Sequence, residues 1–94
     1  MNAKIEKNEA VKVIGGAIRG LREQRGLTLE KLASSASISY QYLSGIETGK
    51  ENFSIAILEK IAKALDVPLV SLIAVAYGKE YRIKPAISAK DDPE

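Results

Sequence analysis

The chain has 94 residues, 46% hydrophobic and 28% charged, with 14 Lys plus Arg against 12 Asp plus Glu and a net charge of +2. That is enough for one small domain of ordinary soluble composition, and it argues against wholesale disorder. With no Cys and no His, the chain lacks disulfides, thiolate metal sites, a thiol nucleophile and the commonest general base.

Met1 to Glu9 is polar apart from Ile5 and reads as a flexible arm or a frayed helical extension, without the apolar stretch of a signal peptide. From about Ala10 to Arg25 the pattern turns helical: Ile14, Ala17, Ile18 and Leu21 fall at i, i+3, i+4 and i+7. Gly15, Gly16 and Gly20 oppose that helix, each costing up to roughly 1 kcal/mol relative to Ala, unless another element packs closely there. Gly26 is a stop signal after Arg25. Thr28 is the candidate N-cap of a second helix, about Leu29 to Ser35. Ser37 and Ile38 then form a corner. Ser39 caps a third helix, Tyr40 to about Thr48, with Leu43 and Ile46 inward and Gln41, Ser44 and Gly45 outward.

Gly49 stops that helix, and Lys50 to Phe53 is a loop. Ser54 caps a fourth helix ending near Asp66, with Ile55, Leu58, Ile61, Ala62 and Leu65 on one side. Val67-Pro68 breaks it, and Leu69 to Tyr77 makes a fifth helix ended by Gly78. Lys79 to Lys84 reads as a short strand or an extended tail, and 86–94 as a disordered end. The expected fold is therefore an all-α, compact five-helix domain over 10–78, between an arm at 1–9 and a tail at 79–94.

The stretch LTLEKLASSASISYQYLSGIETGK, Leu27 to Lys50, carries the functional reading. Two short helices with hydroxyl caps and a corner near Ser37 form a helix-turn-helix arrangement, whose second helix is shaped to enter a DNA major groove. With these residues the chain resembles the lambda-repressor-like, Cro/repressor (XRE-type) helix-turn-helix family. The likeness runs from about Val13 to Ile73, through IRGLREQRGLTLEKLA, YLSGIETGKEN and LEKIAKALDVPLVSLI. The segment SGIE followed by Asn52 to Ile55 is also similar to the controller proteins of restriction-modification systems.

The resemblance implies roles at matching positions. Arg22 and Glu47 stand where relatives make a buried salt bridge between the first and third helices. Tyr40, Gln41, Ser44 and Gly45 stand where relatives read bases or touch phosphates. Gln41 is the leading reader, because its amide matches the N6/N7 edge of adenine. Tyr42 either anchors a phosphate or packs between helices, and Gly45 lets the backbone come close. Thr28, Lys50 and Asn52, with the helix ends at Thr28 and Ser39, imply phosphate contacts. Leu29 replaces the Gln of many relatives, and Lys31 is the candidate to substitute for it.

Charge placement adds a constraint. Residues 1–27 hold six basic and three acidic residues, whereas 28–53 hold two basic and three acidic. Non-specific DNA affinity rests on phosphate neutralisation, so a monomer with this segment at its interface binds weakly. A homodimer reading two half-sites about 34 Å apart, or a multiple of that, is expected. Ile57, Val70, Ile73, Val75 and Tyr77 are the candidate apolar contacts, although Ile73 also suits the core and the set need not share one face.

These features point to a cytoplasmic transcription regulator of a bacterium, phage or mobile element, acting as a homodimer on a palindromic double-stranded operator. No catalytic activity, cofactor, small-molecule ligand, membrane span or separate effector domain is expected. The alternative is a protein-binding module such as an antitoxin, with 79–94 as the partner-binding segment. An enzyme is disfavoured because no phosphate-binding glycine loop or carboxylate cluster accompanies the missing His and Cys.

Overall fold

Four of the five described helices begin where a short polar side chain satisfies amides that have no partner inside the helix. In the computed structural model, which describes residues 8–78, α1 spans Glu9–Gln24, α2 Leu29–Ala36, α3 Tyr40–Glu47, α4 Ile55–Ala64 and α5 Leu69–Tyr77. The Asn8 side chain accepts from the Ala10 amide at 2.8 Å. Thr28 accepts from Lys31 at 3.0 Å, Ser39 from Tyr42 at 3.0 Å and Ser54 from Ile57 at 3.1 Å. Pro68 opens α5 without a side-chain cap, its fixed φ being suited to a helix start.

The helices end on residues able to reverse the chain. Gly26 and Gly49 take positive φ after α1 and α3, at +69° and +78°. Ser37 and Asp66 take the same left-handed region at φ 59° and 61°, although neither is glycine. Short polar side chains tolerate this conformation better than bulky ones.

α1 packs on α3 and α5, α2 on α3 and α4, and α4 on α5. Between them lies one core whose fully enclosed side chains are Ile18, Leu32, Leu43, Ile46, Leu58, Ile61, Leu65 and Leu72. Gly15 lets α1 come close to α3: a methyl group built there overlaps the Ile46 carbonyl oxygen of α3. The same construction at Gly16 and Gly20 meets open space, so close packing accounts for only one of the three glycines. Arg25 ties two helix ends together, its Nε donating to the Leu65 carbonyl at 2.7 Å.

The all-α, five-helix expectation holds, and the described residues contain no strand. Several boundaries differ. Asn8 and Glu9, assigned to the arm from sequence, cap and open α1. α2 runs on to Ala36, and α4 stops at Ala64, before Asp66. Ile55 fits the apolar spacing of α4 but is 68% exposed. It is the first helical residue, beyond the reach of the core that covers Leu58 and Ile61. The arm at 1–7 and the tail at 79–94 lie outside the described residues.

Candidate nucleic-acid interface

α2 and α3 meet at a corner set by Ser37. With Ser37 in the left-handed region, its amide donates to the Ser34 carbonyl at 3.1 Å, and the Ile38 amide donates to Ala33 at 3.0 Å. Ile38 then packs against the core and holds the corner down, which fixes the angle at which α3 leaves it.

α3 is anchored from behind. Leu43 and Ile46 are fully buried, and Glu47 is the single charged residue among the buried ones described. Arg22 meets Glu47 through two hydrogen bonds, Nε to Oε2 at 2.7 Å and Nη2 to Oε1 at 3.0 Å. Its Nη1 donates to the Leu27 carbonyl at 2.8 Å. One guanidinium thus joins α1, the turn before α2, and α3. The two side chains are only 11% and 3% exposed. The hydrogen bond to Glu47 raises the Arg22 pKa above its ordinary value, although burial opposes the charge, so Arg22 stays cationic at any working pH.

The opposite side of α3 faces solvent. Tyr40 and Gln41 are exposed, and Ser44 is half-buried. At eight residues the helix is about 12 Å long, comparable with the width of a major groove. Thr28 and Lys31 at the start of α2, Ser39 at the start of α3, and Lys50 and Asn52 in the following loop are likewise exposed. These candidate contacts thus lie at two helix N-termini and in one loop.

Two candidates are partly covered, Tyr42 by the packing that was one of its two expected roles and Gly45 against expectation. Tyr42 is half-buried against the core, and its hydroxyl donates to the Asn52 carbonyl at 2.9 Å. It packs between α3 and the loop and fixes the loop's position. Gly45 was expected to lie open on the outer face, but the Glu51 side chain covers it: a methyl group built on Gly45 overlaps Glu51 Cγ. The Gly45 carbonyl accepts from the amides of Lys50 at 2.8 Å and Glu51 at 3.1 Å, which folds the loop back onto the helix.

Two further residues escaped the sequence reading. Glu51 lies over α3, and Lys12 of α1 lies against Gly49 beside Lys50. Both contacts come from chain reversals after α3. A glycine in the middle of a short helix was the one hint.

The apolar candidates divide. Val70 and Val75 are 73% and 51% exposed. Ile57, Ile73 and Tyr77 are half-buried, and Ile57 and Ile73 also pack against the core. Five residues apart, Val70 and Val75 point about 140° from each other around the axis, so they do not share a face. Val70, Ile73, Ala74 and Tyr77 do, at i, i+3, i+4 and i+7.

Among the described residues no three His, Cys, Asp or Glu side chains converge as a metal site requires. No described helix is long and apolar enough to cross a membrane.

A hydroxyl-capped helix pair with its second helix anchored behind and open in front defines a helix-turn-helix domain. Residues 18–72 match that family, and the chain belongs to the helix-turn-helix family, of XRE type. The transcriptional regulator ClgR of Mycobacterium tuberculosis is 39% identical over 67 residues, covering 71% of this chain and 59% of the relative. The chain thus spans about three-fifths of that relative's length. Among solved structures, the restriction-modification controller protein C.AhdI from Aeromonas hydrophila is 34% identical with a TM-score of 0.65, covering 66% of this chain and 94% of that one. The controller C.Esp1396I, solved as a tetramer with its natural 35 base-pair operator, is 30% identical with a TM-score of 0.70, covering 73% of this chain and 91% of that one.

Proposed function

We propose that this protein is a sequence-specific double-stranded DNA-binding transcriptional regulator, working in the cytoplasm as a homodimer on a palindromic operator and carrying no catalytic activity. The observation that carries this reading is the two-sidedness of α3. Its inner side is locked by Leu43, Ile46 and the Arg22–Glu47 pair, while its outer side leaves Tyr40 and Gln41 in solvent. A rigid helix held at a fixed angle presents side chains to base edges without an ordering cost at the moment of binding. The operator complex of the similar controller C.Esp1396I supports the same use here.

In this reading Gln41 pairs with an adenine edge, while Ser44 and Tyr40 touch neighbouring groups. Thr28, Lys31, Ser39, Lys50 and Asn52 hold phosphates. Gly45 and Tyr42 act indirectly, by seating the loop. Dimerisation uses the Val70, Ile73 and Tyr77 side of α5 with Ile57 of α4 alongside, and Val75 lies off that seam. The dimer supplies contacts that one weakly basic subunit lacks. The antitoxin alternative rested on 79–94, outside the described residues, and no observed feature favours it.

Selection of bound sites from random duplexes at fixed, stated salt tests the proposal. A recovered palindrome with half-sites about 34 Å apart, or a multiple of that, agrees with it. Recovery of no preferred sequence contradicts it.

A further inference from the structure

The outer face of α3 carries no cation, and its most unusual neighbour is an acid. Gly45 lies one turn beyond Gln41 on the same side of the helix, at the point where a side chain would project towards a docked duplex. Gly45 has none, and Glu51 fills the place. The Lys50 and Glu51 amides hold the Gly45 carbonyl at 2.8 and 3.1 Å, and the Glu51 Cβ and Cδ lie 3.3 and 3.6 Å from the position of the missing methyl. The loop therefore delivers a carboxylate to the reading face.

We infer that Glu51, seated over Gly45, is a base-reading residue that selects cytosine within the operator. The inference rests on the DNA-binding reading of α3 and extends it to a residue outside that helix. A carboxylate facing a polyanion is unfavourable unless it accepts a hydrogen bond, because no other term offsets the repulsion and lost hydration. In the major groove, cytosine N4 is the amino donor that suits it. Guanine offers acceptors, thymine an acceptor and a methyl group, and adenine a donor beside an acceptor. Glu51 thus favours one base pair and penalises the rest, on an interface too poor in cations to hold DNA indiscriminately.

Gly45 and Glu51 form one device in this account. A methyl group at position 45 overlaps Glu51 Cγ and so displaces the Glu51 side chain while leaving its charge on the protein. Gly45 has helical geometry, so Ala is tolerated by the backbone there.

The test measures binding of the full chain to the best selected duplex and to each single base-pair replacement of it, at one stated salt concentration. The proteins are wild type, Glu51→Ala, Gly45→Ala and Gln41→Ala, with thermal melting of each to confirm folding. Wild type is expected to prefer cytosine at one position of each half-site by roughly five- to 150-fold. Glu51→Ala and Gly45→Ala lose that preference and keep the others. Gln41→Ala loses preference at a different pair. Unchanged preference at every position in Glu51→Ala overturns the inference, as does an equal gain on all duplexes, which marks mere repulsion. If wild type itself shows no preference at any position, the DNA reading of α3 fails first and the inference falls with it.

Discussion

The guanidinium of Arg22 grips both carboxylate oxygens of Glu47, at 2.7 and 3.0 Å, and spends its remaining nitrogen on the Leu27 carbonyl at 2.8 Å. This places a bidentate ion pair behind the helix proposed to read DNA. Such a pair gains little net stability against an apolar replacement, but breaking it singly leaves a buried charge unmatched. The raised Arg22 pKa has a definite consequence. A cation stabilised in the folded state contributes fully below its unfolded pKa, and that contribution fades only as pH climbs through the raised folded value. At neutral pH it is complete.

Arg22→Ala is therefore expected to destabilise the fold by about 3–5 kcal/mol, lowering Tm by more than about 12 °C. The double variant Arg22→Met with Glu47→Leu is expected to recover much of that loss. Thermal denaturation by circular dichroism measures both. An unchanged Tm in Arg22→Ala means the pair does not hold α3.

The three glycines of α1 respond differently to the same substitution. Gly15→Ala drives a methyl group into the Ile46 carbonyl and is expected to cost about 1–3 kcal/mol. Gly16→Ala and Gly20→Ala meet open space and are expected to stabilise by up to about 1 kcal/mol each. Urea titration separates them, and equal shifts at all three positions contradict the close approach of α1 to α3.

Gln41→Ala is expected to weaken binding to the preferred operator by about 1–3 kcal/mol and to relax preference at one position. Gln41 is exposed and has no described partner, so Tm stays put. Equal loss on all sequences means that Gln41 touches only the backbone of the duplex.

Val70→Asp is expected to shift the proposed dimer to monomer, because it puts a charge on the most exposed large hydrophobic residue of the apolar side of α5. Val75→Asp, about 140° away around the axis, is expected to leave association nearly intact. Sedimentation velocity at several concentrations decides the matter. Equal dissociation by both places the interface elsewhere on α5.

Much of this architecture is legible in the sequence because its determinants are local. Thr28, Ser39 and Ser54 announce helix starts through their hydroxyls, and Gly26 and Gly49 announce stops, so α2, α3 and α4 begin where expected. Asn8 was hidden within a polar run, and α1 consequently begins earlier than its apolar pattern does. Ile55 misled for the opposite reason. Its spacing fits the buried stripe, but periodicity does not register that a helix's first residue lies past the core's edge. The distinction between Gly15 and Gly16 depends on which one faces Ile46, a tertiary fact. Likewise, nothing in the spacing of α3 tells that Glu51 returns to cover Gly45, since that contact is made by the loop after the helix has ended.

The most direct test of the central claim is an NMR titration of the full chain with a selected duplex, followed at the backbone amides. The account predicts that the largest changes fall at Gln41, Ser44, Thr28, Lys31, Lys50 and Asn52, with α5 shifting little. Changes confined to other elements, or none at low salt, contradict it.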